Sequence, residues 1–245
     1  MRSARLVGGR AADFAFPPGC GVCGAPLAEP DALCPSCWGQ LRFISAPMCP
    51  RLGIPFAIEL GPGALSAEAI ADPPVFDRSR AALVYNDLAR ALVAQLKYGD
   101  RTDLATLCGR LMAQAGHEFW GEAPVLMPVP LHWRRQAMRR FNQSVLLARE
   151  IGRRTGLAAM GGGLRRVRHT RQQVGLSGDA RARNVAGAFA VSPRLLERLG
   201  GRRVVLVDDV VTTGATANAA ARALRRAGVD HIDVISLARV VRQGD

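Results

Sequence analysis

Lysine is almost absent from this chain: Lys97 is the only one among 33 basic residues, and the rest are Arg. Arginine dominance of that kind reads as a coding bias, so where the charge sits is more informative than which cation carries it. Aromatic residues make up 5%, which leaves few surfaces for stacking a nucleobase and none that can be assigned to an acceptor pocket. No apolar run approaches the roughly 20 residues of a membrane-spanning helix, so membrane insertion is not expected. The first 18 residues lack the long apolar stretch of a secretory signal, and the expected location is cytoplasmic. In that setting the six Cys, four of them in two CxxC pairs, point to metal or redox chemistry before disulfides.

What is present supports a sizeable core. Hydrophobic residues are 49% of 245, enough for one α/β domain with a small appendage. The net charge is +13. Its excess is local: between positions 132 and 184 there are 13 Arg against Glu150 and Asp179. Such a segment suits a polyphosphate or a nucleic acid. The competing reading is a solvated basic surface.

The most informative run is Val204-Val205-Leu206-Val207-Asp208-Asp209-Val210-Val211-Thr212-Thr213-Gly214-Ala215-Thr216. Its apolar start reads as a buried parallel strand over 204–207, with the two carboxylates expected at the strand's end. A Thr/Gly loop follows, then an Ala-rich helix over 217–227. Gly214 lets the backbone approach a phosphate closely. The loop N–H groups and the helix N-terminus offer donors and a positive dipole end. Thr212, Thr213 and Thr216 add hydroxyls, and Asp208 with Asp209 can accept from vicinal sugar hydroxyls. The alternative is an ordinary buried strand that happens to end in two Asp.

The cysteine pairs are Cys20-x2-Cys23 and Cys34-x2-Cys37, ten residues apart. Two such knuckles can bring four thiolates onto one tetrahedral Zn²⁺, which supplies folding energy a short segment lacks. A redox dithiol competes, but the Gly/Pro-rich surroundings lack the strand–helix junction it would need. Cys108 falls in an expected helix and reads as core.

Along the rest of the chain, positions 51–74 are rich in Gly, Pro and Ala and read as an irregular connection. Strands are expected at 81–85, 125–127, 186–191 and 232–237, and helices at 88–98, 103–119 and 142–155. Alternation of this kind argues for a parallel sheet flanked by helices. The expected organisation is a zinc-finger module over 1–50, a connection over 51–79 and an α/β domain over 80–245.

The run from Val204 to Thr216 closely resembles the phosphoribosyl-pyrophosphate (PRPP) motif of type I phosphoribosyltransferases. Behind a four-cysteine module, it makes the chain similar to the ComF family of competence-associated, phosphoribosyltransferase-like proteins. Further blocks carry that resemblance: Phe76-Asp77-Arg78; Leu96-Lys97-Tyr98-Gly99; Val129-Pro130-Leu131-His132 with Arg134 and Arg135, then Phe141-Asn142-Gln143; Arg168-x-Thr170-x-x-Gln173; and Arg181-x-x-Asn184. The resemblance implies a type I phosphoribosyltransferase fold. It implies that Asp208 and Asp209 hold the ribose hydroxyls, that Thr212, Thr213, Gly214, Ala215 and Thr216 hold the 5-phosphate, and that Mg²⁺ comes with PRPP. It also implies a diphosphate loop carrying Arg134 and Arg135, and a mobile loop over 165–185 carrying Arg168, Gln173, Arg181 and Asn184. Apart from the resemblance, Lys97, retained in a chain that otherwise uses Arg, either serves as a compact ammonium that reaches a phosphate or stands there by chance. Three functions follow: transfer of phosphoribosyl to a nitrogen acceptor, PRPP binding without catalysis, or binding of single-stranded DNA in its uptake or processing. Two departures stand out. Leu52 sits where a second thiol would follow Cys49, which counts against a second zinc site, and Arg140 replaces a Gly.

Overall fold

The computed structural model describes residues 18–98, 103–131, 141–168 and 187–241. Among these, four strands form a parallel sheet: β1 (Arg78–Val84), β2 (Val125–Pro128), β5 (Val204–Val211) and β6 (Ile232–Arg239), in the order β1-β6-β5-β2. Two short strands, β3 (Leu164–Arg166) and β4 (Phe189–Val191), pair antiparallel in a separate ribbon. The helices are α1 (Pro35–Gly39), α2 (Ala67–Ala71), α3 (Asp87–Tyr98), α4 (Leu104–Ala115), α5 (His117–Trp120), α6 (Gln143–Thr155), α7 (Leu195–Leu199) and α8 (Ala215–Arg226). The expected parallel sheet with helices on both sides is present.

The strands of this sheet are covered on both faces, and β2 and the first half of β5 read as continuous apolar runs for that reason. Alternate side chains divide between two cores. Val204, Leu206, Ile232 and Val234 join α8 and the segment around Leu52, Ile54 and Phe76. Val205, Val207, Ile235 and Leu237 join α3, α4 and α6. Cys20, Leu33, Cys37 and Leu41 continue that second core. The cysteine module is therefore packed into the α/β core.

Both outer strands are shielded. Ile44 donates its backbone N–H to Ala82 at 3.0 Å, and Val84 donates to Arg42 at 2.8 Å, so the chain after α1 runs antiparallel along β1. Leu126 donates to Ala158 at 2.9 Å and Met160 donates to Leu126 at 2.8 Å, which covers β2. Unpaired N–H and C=O rows would otherwise invite pairing with another chain.

Four expectations change. Strand β5 does not end before the acidic pair but carries Asp208 and Asp209 through to Val211. Its ladder with β6 continues past them, with Val210 beside Ala238 and Val211 beside Arg239. The stretch expected as loop from 165 onward begins in strand β3, where Arg165 and Arg166 pair with Ala190 and Phe189. Three residues are too few to show a period. The irregular connection contains one short helix, α2, capped by the Ser66 hydroxyl, which accepts from the Ala69 N–H. The expected helix 103–119 divides at Gly116 into α4 and α5.

Helices α4 and α6 cross at Gly109, where a Cβ would lie 2.4 Å from the Cβ of Glu150. Helix propensity alone favours Ala over Gly by about 1 kcal/mol. Overpacking against a side-chain stem costs about 1–3 kcal/mol. Gly109→Ala is therefore expected to lower stability by up to about 2 kcal/mol in urea unfolding. A rise in stability would show that the crossing has room to spare.

Candidate phosphoribosyl site and zinc centre

The acidic pair lies near the carboxyl end of β5, where open α/β sheets bind ligands. Asp208 and Asp209 are partly buried, and their environments differ. The Asp208 carboxylate oxygen Oδ1 accepts the backbone N–H of Asp209 at 2.9 Å and the Ser144 hydroxyl at 3.4 Å. Burial, and then the neighbouring Asp209 charge, push the Asp208 carboxyl up to about 7. Hydrogen bonding to Asp209 and the charges of Lys97 and Arg166 pull in the opposite direction. Asp209 has a direct counter-ion: Lys97 Nζ lies 2.7 Å from its Oδ2. The chain's only lysine thus meets the acidic pair from the end of α3.

Beyond the pair, Gly214 adopts φ of 71° and starts α8 with no side-chain cap. That left-handed conformation suits Gly. The first N–H groups of a helix have no intrahelical partner, so this N-terminus presents donors and a positive dipole end. The Thr213 hydroxyl is enclosed within the loop and makes no protein hydrogen bond. Loop, dipole and hydroxyl together fit an anion. Behind the loop, Val75 donates its N–H to Asn218 Oδ1 at 2.8 Å, and Phe76 lies against Gly214. At the end of β6, Arg239 holds Glu68 of α2 at 3.0 Å. The connection after the cysteine module thus braces the site from one side.

Helix α6 braces it from the other. Asn142 caps that helix by accepting from the Ser144 N–H at 3.0 Å, and its Nδ2 donates to the Val129 carbonyl at 3.1 Å. This fixes Ser144, 4% exposed, beside Asp208. Sequence reasoning missed Ser144 as a contact of the pair. It also missed Arg166, whose guanidinium stacks 5.5 Å from the Phe189 ring centroid and whose charge acts on Asp208. Of the expected site residues, Lys97 and the 208–216 run come together here. Arg168 is exposed just after β3. Arg134, Arg135, Gln173, Arg181 and Asn184 lie outside the described residues.

The four cysteines converge. The Sγ atoms of Cys20, Cys23, Cys34 and Cys37 all lie within 4.8 Å of one another. Tetrahedral Zn–S bonds of about 2.3 Å place sulfurs about 3.8 Å apart, and Cys23 and Cys34 stand at 3.6 Å. Backbone N–H groups of Cys34 and Cys37 point at the sulfurs of Cys20 and Cys34, at 3.3 and 3.4 Å. Burial raises the Cys20 thiol, but N–H groups of Cys23, Cys34 and Val22 outweigh it and bring Cys20 down to about 6. Burial and the three neighbouring sulfurs push Cys37 up to about 12. Four thiolates this close need a cation among them, and the set fits Zn²⁺.

A second knuckle repeats the backbone of the first around Cys49. Cys20 donates its N–H to Ala25 at 2.7 Å and accepts from Gly24 at 3.0 Å; Cys49 donates to Ile54 and accepts from Gly53, both at 2.8 Å. Gly24 and Gly53 share positive φ, 74° and 64°. Leu52 stands where Cys23 stands in the first, and Cys49, Leu52 and Ile54 are buried in the core.

Known proteins agree with this arrangement. Residues 11–70 match a family model described as a double zinc ribbon domain, and residues 95–244 match a phosphoribosyl transferase domain. The chain is 33% identical to the DNA utilization protein YhgH of Salmonella typhimurium, over 91% of this chain and 97% of that protein. The chain belongs to the ComF family. Competence protein F of Haemophilus influenzae is 41% identical over 46% of this chain and 49% of its own length. Competence protein ComFC of Bacillus subtilis is 24% identical over 82% of each. Among the described residues, no helix of this ComF-family chain is long and apolar enough to cross a membrane.

Two outcomes are expected. Metal analysis of protein purified without chelator should find one zinc per chain; two would mean the Leu52 knuckle recruits ligands, and none would remove the centre. Asp208 ionises near 4 when unfolded and near 7 when folded, so the folded state holds the extra proton between those values. Stability should therefore fall as pH rises from about 4 to about 7. Asp208→Asn should be more stable than the parent at pH 7 by on the order of 1–2 kcal/mol, given screening in a partly open site, and no more stable near pH 4. Thermal melts across that range would show it.

Proposed function

We propose that this protein binds PRPP with Mg²⁺ at the 208–216 run. One observation carries the reading: an acidic pair, a Thr/Gly loop and a helix N-terminus without a side-chain cap follow one another at the carboxyl end of a central parallel strand. Asp208 and Asp209 accept the ribose 2- and 3-hydroxyls. Thr212, Thr213, Thr216 and the N–H groups from Gly214 and Ala215 take the 5-phosphate. The carboxylates are hard oxygen donors that would hold Mg²⁺ directly or through water, and bound Mg²⁺ would supply positive charge for a departing diphosphate.

The reaction this arrangement suits is displacement at C1. The bond from C1 to the diphosphate oxygen breaks, a bond from C1 to a nitrogen acceptor forms, and diphosphate leaves with the bonding pair. The acceptor's proton passes to solvent. Catalysis then comes from positioning and from cationic stabilisation of the leaving group. Arg134 and Arg135 belong to that second role through the family resemblance.

The names of the relatives favour a second reading. Proteins called DNA utilization protein and competence protein F support a PRPP-binding factor that handles single-stranded DNA without transferring phosphoribosyl. The +13 charge is compatible with it. Release of diphosphate from PRPP with a nucleobase favours the first reading. Salt-sensitive binding of single-stranded DNA without turnover favours the second.

Asp208→Asn with Asp209→Asn should abolish PRPP binding in calorimetric titration while leaving the circular dichroism spectrum unchanged. Unaltered PRPP affinity in that double variant would place the ligand elsewhere.

A further inference from the structure

We infer that Lys97 is the residue that reads the substituent at C1 of a phosphoribosyl ligand, shifting its ammonium from Asp209 to the ligand's diphosphate when the site fills. The inference rests on the PRPP reading and adds to it a residue that separates PRPP from ribose 5-phosphate.

The geometry begins with the two faces of the sheet. Helix α8, whose N-terminus would hold the 5-phosphate, packs on the face of Val204 and Leu206. Helix α3, which carries Lys97 near its end, packs on the opposite face with α4 and α6. Lys97 reaches Asp209 from that side at 2.7 Å. A ribose with its 5-phosphate at α8 and its hydroxyls on the acidic pair directs its far end, C1, toward the face of α3 and α6. The ammonium of Lys97 is then a cation in contact with the pair on that side.

Magnitudes decide where the ammonium goes. Lys97 and Asp209 keep 23% and 13% of their side-chain surface exposed. A partly exposed ion pair is only weakly stabilising. A bond from an ammonium to a phosphate oxygen is charge-assisted, and a diphosphate offers several oxygens and more than one negative charge. Moving the ammonium also frees Asp209 Oδ2 to accept a sugar hydroxyl. A compact point cation on a flexible stem can make this transfer within one pocket, whereas a planar guanidinium demands a fixed two-pronged partner. That the sole lysine among 33 basic residues sits at this contact fits such a demand.

The test compares two ligands in the full-length, zinc-bearing protein with Mg²⁺. Calorimetry with PRPP and with ribose 5-phosphate is run on the parent, Lys97→Met and Lys97→Arg. Lys97→Met should weaken PRPP by at least about tenfold and leave ribose 5-phosphate unchanged or tighter, since Asp209 loses a competitor. Lys97→Arg should fall between. An equal loss for both ligands, or no loss for either, would overturn the inference and leave the PRPP site standing. Failure of the parent to bind PRPP would overturn both. A measurement on the parent removes dependence on the variants' folding: protein grown with ε-¹³C lysine has a single lysine signal. PRPP and inorganic diphosphate should displace that signal more than ribose 5-phosphate does; equal displacement would count against the inference.

Discussion

Two adjacent carboxylates in a strand of the central sheet are the constraint to which much of this structure answers. Side by side and partly buried, Asp208 and Asp209 repel each other and lose solvation. The surrounding elements supply what water no longer does. Helix α6 brings the Ser144 hydroxyl to Asp208, α3 brings Lys97 to Asp209, and Arg166 adds its field from β3. These groups come from elements far apart in sequence. The site is the place where three helices and two strands meet around a charge that β5 alone could not hold.

The N-terminal region serves the same end. Its cysteine module joins the core on the α3–α4–α6 face, and its second knuckle, around Cys49 and Leu52, joins the core on the α8 face. Between them, the chain runs along β1 and covers one edge of the sheet. The segment from α2 to Phe76 then lies behind the Thr/Gly loop. One metal centre and one apolar replica of it thus clasp the sheet from both sides. Losing the ion would loosen the packing under α4, where Gly21 and Leu104 are in close contact.

Much of this was legible in the amino-acid sequence. The apolar run of β5, the double acid, the Thr/Gly loop and the CxxC spacing are local patterns, and each has a chemical reason that does not depend on distant residues. Helices α3 and α6 were legible through their spacing, and Asn142 emerged as the cap of α6. The misreadings share a cause. Charged residues rarely continue a buried strand, so the pattern ends β5 before Asp208; the ladder with β6 holds them in it. Three residues with two Arg show no period, and the strand form of β3 comes from pairing with β4.

The sequence by itself determined the parallel α/β class, the phosphate loop and the four-thiol centre, because short-range spacing and residue chemistry are enough for each. Only the tertiary structure decided which groups neutralise which. Ser144 beside Asp208 and Lys97 beside Asp209 are both outcomes of packing across long sequence separations. Coulomb and packing energies depend on distances in space, and no one-dimensional pattern carries those.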